Sequence, residues 1–581
     1  VKKGTKGKAK VPVRDWLFLA VILAANINIF LNWLPIYETP GESSLRDLIL
    51  GGLLIVIALE TTRRSTGWVL PVILVFTFIY VFMGPRIPGS WGHTGFSLKF
   101  VIDSVYFSPI GIYGAMTGYS ATFVAVFIIF GSLLMVTGGG ETFIDLALLV
   151  AGKFRGGPAK VAVVSSALFG TISGSPTANV SVCGTYTIPL MKRLGYDRNF
   201  AGGVEAMAST GGIITPPVMG ITAFVMAEWI GVPYIKIAMY AIIPCALFYI
   251  GIFAGVHFEA LRLKLSPVPK NEIPHWKKVL TPSRLVPFCA PLIILIWLLL
   301  SGYDLTDAGF YSCMAVIVFY LVKDFSLLGM KKRVVDVVKA LSNGGQSLAM
   351  IVPVFVTVGM LVNLLGITGI APKISGVIVD MGSQYLIGGL LTGAIVPLVL
   401  GTALPTTATY LISIPLIAPA LIRLNLDIVS VHMFLFYWAA LAAVTPPTCV
   451  PCIVAARIAG GHWMKVSMAG MRLGIVAFLM PFFFILEPAL LARGALTDIL
   501  LHSASGVVGA FLLASALSGY MRNVTNPAIR LLYGISGLML LYPSYPVHIW
   551  GVGIALVAFA CDWLLGRLRQ KTLISPSRNP N

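Results

Sequence analysis

Small polar residues and a proline interrupt a long apolar run in the first half of the chain. Residues 161–191 carry no charged side chain, yet the stretch SGSPTANVS lies at 173–181. Proline cannot continue a regular helix, because it lacks an N–H and its ring clashes with the preceding turn. Hydroxyls and freed carbonyls are oxygen ligands that suit Na⁺, and helix N-termini suit a carboxylate. The stretch therefore indicates a site for a cation together with an organic anion.

A second set of breaks repeats the first. The sequence LPTTA at 404–408 echoes SPTA at 175–178 with an offset of 229 residues, and TPP recurs at 215–217 and 445–447 with an offset of 230. In each half we predict a span, a short lateral helix, a hairpin and a broken span. Inverted repeats with paired Pro- or Gly-broken segments are typical of secondary transporters that bind substrate near the membrane midplane.

The candidate ligands for ion or substrate lie in these four breaks. In the first half they are Ser173, Gly174, Ser175, Pro176, Thr177, Asn179, Ser209, Thr210, Gly211, Thr215 and Pro216. In the second half they are Thr402, Pro405, Thr406, Thr407, Thr445 and Pro446. The hairpin tips are candidate binding sites for Na⁺. Which of these residues bind the ion and which bind the substrate stays open. The alternative, proline kinks stabilised by neighbouring helices, suits one break better than two matched pairs.

Glu205 is a carboxylate within an apolar segment, and such groups are functional hypotheses by default. It could carry a coupling proton. The alternative is a structural ion pair with Arg193 or Arg198 at the cytoplasmic interface, since both arginines are near in sequence. The sequence leaves the two interpretations open.

The composition indicates a membrane protein. The 581 residues are 57% hydrophobic and 11% charged, whereas a soluble domain carries about 25% charged residues. Apolar runs long enough to cross a bilayer recur along the chain, and they are continuous rather than alternating. We therefore predict an all-α polytopic membrane protein. The net charge of +19 reflects basic residues in a subset of loops, as the positive-inside rule requires, so no nucleic-acid partner is expected.

Several other function classes find no support. The chain has no G-x-x-x-x-G-K-[ST], H-E-x-x-H or G-x-S-x-G motif, so neither an ATP-driven motor nor a membrane hydrolase is indicated. Cys449 and Cys452 form a C-x-x-C without the soluble βαβ context that would favour a redox role. His432 is assigned to a span end, and no metal-like spacing is found. We expect no enzyme activity and no cofactor, and a channel would not need inverted broken repeats.

Loop charges orient the spans. The predicted spans are 16–36, 46–62, 67–84, 117–137, 200–231, 236–256, 285–302, 309–322, 345–366, 428–458, 466–491, 505–520, 530–544 and 548–566. Basic residues place both chain termini and both ends of the 159–192 stretch in the cytoplasm, and both ends of the 384–422 stretch outside. Half of the first stretch, about 15 residues, rises only about 22 Å as helix, short of the hydrocarbon core. We predict two re-entrant helical hairpins, inverted relative to each other.

The sequences around the breaks resemble those of a known transporter family. The stretches FRGGPAKVAVVSSALFGTISGSPTANV, EAMASTGGIITPPVMGITAFVMAEWIGVPY and GTALPTTATY followed by TPP resemble the fused permeases of tripartite ATP-independent periplasmic (TRAP) transporters, in particular the TAXI branch. The resemblance covers roughly residues 15–495. It implies a small-permease-like scaffold at 1–116, a large-permease-like part at 117–495 with repeats at 117–256 and 345–491, and additional C-terminal membrane helices at 496–581.

The resemblance implies an elevator-type transporter of the bacterial cytoplasmic (inner) membrane. Both hairpins and both TPP helices would form a transport domain that slides against the remaining scaffold. A Na⁺ or H⁺ gradient would drive uptake of an organic anion, such as a dicarboxylate or glutamate, delivered by a separate periplasmic TAXI-type binding protein. The alternative is a carboxylate symporter that works alone in the lipid membrane, although the additional N-terminal spans favour the first interpretation.

Overall fold

The computed structural model describes residues 11–38, 41, 43–323 and 327–574. These residues form helices, and the one β-bridge among them pairs Tyr520 with Val524. Nine helices in this part of the chain are long and apolar enough to cross a membrane, or ten when the bent pair Trp463–Leu473 and Ile475–Phe484 is counted as a span. The expected all-α polytopic architecture is confirmed.

Two compact units divide the chain. The first comprises residues up to 122 together with 346–376, and the second comprises the rest. The first unit begins with α1 (Val13–Glu38), α2 (Leu45–Thr66), α3 (Val69–Met83), the 3₁₀ turns Gly84–Arg86 and Gly89–Trp91, α4 (Leu98–Phe107) and α5 (Ala115–Ala121). Within it, Thr62 Oγ1 donates to Pro353 O at 2.9 Å and Ser104 Oγ to Asn363 Oδ1 at 3.0 Å. These bonds hold residues 346–367 against α2 and α4.

The second unit contains the first hairpin and its broken helix. Its first helices are α6 (Phe123–Val136), α7 (Gly139–Ala151), α8 (Gly157–Ser173), α9 (Pro176–Val182), α10 (Gly184–Arg193), α11 (Arg198–Thr210), the 3₁₀ turn Gly211–Ile214, α12 (Ile221–Ile230), α13 (Tyr234–Arg262), the 3₁₀ turn Lys270–Glu272, α14 (Trp276–Val279), α15 (Pro282–Leu300) and α16 (Leu305–Leu321). Val161 on α8 and Leu190 on α10 share one apolar cluster. The two ends of the 159–192 stretch therefore lie together, as a hairpin requires.

The same order of elements follows in the second half. The helices are α17 (Leu327–Ile367), α18 (Ile370–Gln384), α19 (Leu386–Gly401), α20 (Thr406–Arg423), α21 (Ile428–Ala442), α22 (Val450–Ala459), α23 (Trp463–Leu473), α24 (Ile475–Phe484) and the 3₁₀ turn Pro488–Leu491. A Cβ on Gly393 of α19 would lie 3.3 Å from Ile417 Cγ2 of α20, and one on Gly389 would lie 3.0 Å from Leu424 Cδ1. This close packing along the arms makes α19 and α20 a second hairpin.

Two predicted spans are broken as expected, and one is broken unexpectedly. Residues 200–231 divide into α11 and α12, and 428–458 divide into α21 and α22. The Pro–Pro peptide bond is cis in both TPP sequences. The predicted 466–491 span is bent, because α23 and α24 meet at an angle of 49°. A Cβ at the junction residue, Gly474, would lie 2.1 Å from Met207 Cε, so the glycine allows close packing on α11.

Three helices close the described chain: α25 (Leu496–Ser518), α26 (Pro527–Leu541) and α27 (Tyr545–Ile574). Leu512, Tyr533 and Ala558, one from each helix, belong to a shared apolar cluster. Ser536 Oγ also donates to Gly551 O at 2.7 Å, which links α26 to α27. These contacts pack the three helices against one another.

Candidate functional site

The first hairpin lies against its own broken helix through glycines. A Cβ on Gly170 would come within 2.6 Å of Gly212 Cα, and one on Gly174 within 2.2 Å of Met219 O. Gly174 also has φ +55°, a left-handed conformation that glycine adopts without strain. Val218 N donates to Thr171 O at 3.2 Å. The break after α8 and the TPP break are therefore in direct backbone contact.

Glu205 lies at the centre of this contact. Its side chain has no exposed surface. Ser166 on α8 donates its hydroxyl to Oε1 at 2.8 Å, Thr187 on α10 donates to Oε2 at 2.5 Å, and Ser209 on α11 donates to Oε1 at 3.3 Å. One carboxylate thus joins both arms of the hairpin to the broken helix.

The predicted alternative for Glu205, an ion pair with Arg193 or Arg198, is wrong. Arg193 pairs with Glu272 instead. Arg198 donates Nη1 to Gly460 O at 3.1 Å. Among the described residues no cationic side chain lies within salt-bridge distance of Glu205, and the side-chain partners of its carboxylate are hydroxyl groups. The reason is that the first hairpin, rather than the cytoplasmic loop, covers this side of α11.

Asn179 is the second buried polar group at the hairpin. Its side chain is 1% exposed, and Nδ2 donates to Ser166 O at 2.9 Å. The other amide atom, Oδ1, is buried and has no partner in the described part of the chain. Buried polar atoms are normally hydrogen-bonded, so an unpaired carbonyl oxygen beside Ser166 marks a place where a cation or a water would be stabilised.

The remaining candidates on the first broken helix are buried and bonded within the protein. Thr210 donates to Ala206 O at 2.8 Å, and Thr215 donates to Gly211 O at 2.7 Å. Thr215 Oγ1 also lies 3.1 Å from the hydroxyl of Tyr249 on α13. Their side chains therefore shape the break from inside, with Pro216 half-buried beside them.

The two hairpin tips expose one matching hydroxyl each. Thr177 and Thr406 follow Pro176 and Pro405 in the first turns of α9 and α20, and both are half-buried. Neither threonine hydroxyl has a partner among the described residues. The neighbouring hydroxyls are engaged within their own segments: Ser173 accepts from Ser175 N, Ser175 from Ala178 N, Thr402 donates to Val399 O, and Thr445 to Leu441 O.

The second hairpin joins the first half directly. Thr407 Oγ1 at its tip lies 3.0 Å from Thr222 Oγ1 on α12. A Cβ on Gly401 would lie 2.4 Å from Ala442 Cβ, just before the second TPP break. The helix after that break, α22, contacts α9 and α10 of the first hairpin. The structure thus brings all four breaks into one connected region, although it does not divide them into ion and substrate ligands.

Sequence reasoning missed the partners that complete this region. Ser166 and Thr187 were not singled out, although each is a hydroxyl within an uncharged run. His432 lies near the start of α21, as expected, but the sequence does not show that it is only 2% exposed or that its Nδ1 lies 2.8 Å from the hydroxyl of Tyr410. Asp427, not His432, caps the helix, which leaves the imidazole one turn inside. Among the described residues no group of three or more His, Cys, Asp or Glu could hold a metal.

Two hairpins and two broken helices, assembled in a chain with many membrane-spanning helices, define a membrane transporter. Comparison with known families narrows this class. Residues 53–499 match the model of the tripartite ATP-independent periplasmic transporter, DctM component. The chain belongs to this family of transporter permeases, and it is not an enzyme.

Individual relatives agree with the family. The chain is 24% identical to the C4-dicarboxylate TRAP transporter large permease protein DctM of Pseudomonas aeruginosa, over 62% of this chain and 83% of that protein. It is 23% identical to the sialic acid TRAP transporter permease protein SiaT of Haemophilus influenzae, over 82% and 72%. It is 22% identical to the 2,3-diketo-L-gulonate TRAP transporter large permease protein YiaN of Escherichia coli, over 57% and 75%.

Proposed function

We propose that this protein takes up a small organic anion, a dicarboxylate or a glutamate-like acid, across the bacterial inner membrane. A Na⁺ or H⁺ gradient drives the uptake, and a periplasmic binding protein of the TAXI type delivers the substrate. Two relatives that are named for C4-dicarboxylate and sialic acid transport support an anionic substrate. Both hairpins and both broken helices move together as an elevator, while residues 1–116 and 496–581 belong to the scaffold.

The observation that carries this proposal is the pair of hairpin tips. The helix α9 begins at Pro176, and α20 begins directly after Pro405. The first N–H groups of a helix have no intrahelical carbonyl partner, so both tips present a positive dipole end. Thr177 and Thr406 add a hydroxyl donor at each tip. Backbone N–H groups and hydroxyls at two helix N-termini suit a substrate with carboxylate groups.

Glu205 supplies the coupling chemistry in this proposal. Placing an ionised carboxylate in a dry interior costs several kcal/mol unless a counter-charge accompanies it. A proton bound to Glu205 removes this buried charge while the site is closed. Release of the proton to the cytoplasm would complete a symport cycle. Na⁺ beside Asn179 Oδ1 is the alternative companion, because that oxygen lacks a donor.

The test is uptake of radiolabelled 2-oxoglutarate and glutamate into proteoliposomes. Each acid is offered with and without the cognate binding protein, under a Na⁺ gradient or a pH gradient. We expect uptake only with the binding protein and under one of the two gradients. Uptake without the binding protein would replace the tripartite mechanism by the stand-alone symporter, and uptake without any ion gradient would contradict the coupling.

A further inference from the structure

A cavity lies between α13, α23 and α24 on one side and the C-terminal helix α25 on the other. It opens to the surface, and the empty space within it, open solvent included, is about 340 Å³. Its walls come from α13, α23, α24 and α25, and they include Gly251, Gly255, Leu473, Val476 and Ala514. Val476 and Leu473 pack onto the two glycines of α13, and Glu259, Arg472 and Ser518 add polar groups to walls that are otherwise apolar. The groove therefore suits an alkyl chain better than a hydrated solute.

Arg472 lines one end of this cavity, and Arg530 approaches it through the lining residue Leu517. Arg472 of α23 donates Nη2 to Leu517 O at 2.5 Å, and Arg530 of α26 donates Nη2 to the same oxygen at 3.4 Å. Arg530 also donates Nε to Ala516 O at 2.9 Å. Two guanidinium groups that share one acceptor must lie within a few ångströms of each other, so they repel.

The local structure holds the two cations in place without neutralising them. A Cβ on Gly519 would lie 3.3 Å from Arg530 Cζ, and Gly519 has φ +69°, so the guanidinium rests on a bare backbone turn. The C-terminal end of α25 contributes only about half a negative charge. Glu259 also lines the cavity, but Arg262 holds its carboxylate through both oxygens. In the described ranges no acid pairs with Arg472 or Arg530.

We propose that this groove binds an anionic phospholipid from the cytoplasmic leaflet. The phosphate lies between Arg472 and Arg530, whose remaining N–H donors match phosphate oxygens, and an acyl chain lies along α13 and α25. The distribution of basic residues places this end of α25 in the cytoplasm, where basic pockets between membrane helices recognise anionic headgroups. The lipid would strengthen the contact of the C-terminal helices α25 and α26 with α13 and α23.

The test compares lipids in their effect on the purified protein. The full chain in detergent is titrated with phosphatidylglycerol or with phosphatidylcholine, and bound lipid is counted by native mass spectrometry. We expect retention of phosphatidylglycerol and a higher unfolding temperature than with phosphatidylcholine. Substituting one arginine, Arg472→Gln or Arg530→Gln, should weaken phosphatidylglycerol binding about fivefold, and substituting both should weaken it by the product of the two effects.

A matched control comes from Arg198, which also donates to a helix-end carbonyl but stands alone there. Arg198→Gln should retain phosphatidylglycerol as the unmodified chain does. Equal binding of both lipids, or unchanged binding in both single variants, would overturn the proposal. So would full stabilisation by glycerol phosphate without acyl chains, since that would show an anion site rather than a lipid site. If the double variant fails to fold, the two single variants decide the outcome.

Discussion

The two halves of the molecule share their breaks but differ in what joins each hairpin to its broken helix. In the first half a buried carboxylate, Glu205, accepts from hydroxyls on three helices. In the second half a buried imidazole–phenol pair, His432 and Tyr410, joins α21 to α20. At the repeat offsets of 229 and 230, the residues that correspond to Ser166, Asn179, Thr187, Glu205 and Ser209 are Ile395, Ala408, Leu416, Leu435 and Ala439.

This difference distinguishes a feature that both halves share, the tip threonines, from a feature of the first half alone, the buried carboxylate. The half-buried tip threonines, Thr177 and Thr406, occur in both halves, as do Thr215 and Thr445 before the paired prolines. The buried carboxylate occurs in only one half, and apolar residues replace it and its neighbours in the other. In the proposed function, a substrate with two acidic ends would bind the symmetric tips, and ion coupling would use the asymmetric first half. Four sets of substitutions test this division, from the largest expected effect to the smallest.

Replacing the carboxylate should give the largest effect. Glu205→Gln keeps a similar shape but carries no proton that it can release, so we expect it to abolish uptake driven by a pH gradient. The measurement is initial uptake in proteoliposomes, with Leu435→Gln as the control at the corresponding position of the second half. If Glu205→Gln retains full proton-driven uptake, the residue has only a structural role.

Removing a tip hydroxyl should have a smaller but equal effect in both halves. Thr177→Val and Thr406→Val keep the side-chain shape and lose one hydrogen bond to substrate, which corresponds to about a tenfold loss of uptake at low substrate concentration. Ser181→Ala is the control, because its hydroxyl bonds within α9 at 2.7 Å. A loss in only one of the two valine variants would contradict the symmetric substrate site.

Filling the glycine contacts should affect stability more than coupling. A Cβ at Gly170 meets the Gly212 backbone, and one at Gly401 meets Ala442, so each alanine variant should lower the free energy of unfolding by about 1–3 kcal/mol. Gly376→Ala is the control, since nothing lies within 4 Å of its Cβ position. Thermal unfolding in detergent measures the difference. Unchanged stability of Gly170→Ala would show that the hairpin and the broken helix separate without cost.

The sequence predicts the positions of the breaks but not what stabilises them. Pro176, Pro405 and the TPP sequences mark both hairpin tips and both broken helices, because proline disfavours helix continuation. They do not mark the bend at Gly474 between α23 and α24, and other prolines, such as Pro291 and Pro419, lie inside helices. The partners of Glu205 could not be predicted in the same way, since Ser166 and Thr187 lie 39 and 18 residues away along the chain. Their approach depends on how the hairpin folds back. Periodicity within a single helix carries no information about that contact.

Replacing the imidazole of the second half should give the smallest effect. His432→Gln retains a polar side chain but loses the hydrogen bond between the imidazole and the Tyr410 hydroxyl. Tyr410→Phe removes the same hydrogen bond by deleting the hydroxyl. Each should lower the free energy of unfolding by about 1 kcal/mol, as expected for one buried hydrogen bond. Neither should alter the dependence of uptake on the pH gradient, because Glu205 alone is assigned to the proton.

Combining His432→Gln with Tyr410→Phe tests whether both substitutions act only through their shared hydrogen bond. Since the two substitutions remove one bond, His432→Gln combined with Tyr410→Phe should destabilise the protein by less than the sum of the single effects. Uptake at several pH gradients should superimpose on that of the unmodified chain after correction for folded protein. A loss of proton-driven uptake in His432→Gln, with Tyr410→Phe unaffected, would assign a proton to the second half and remove the asymmetry between the repeats.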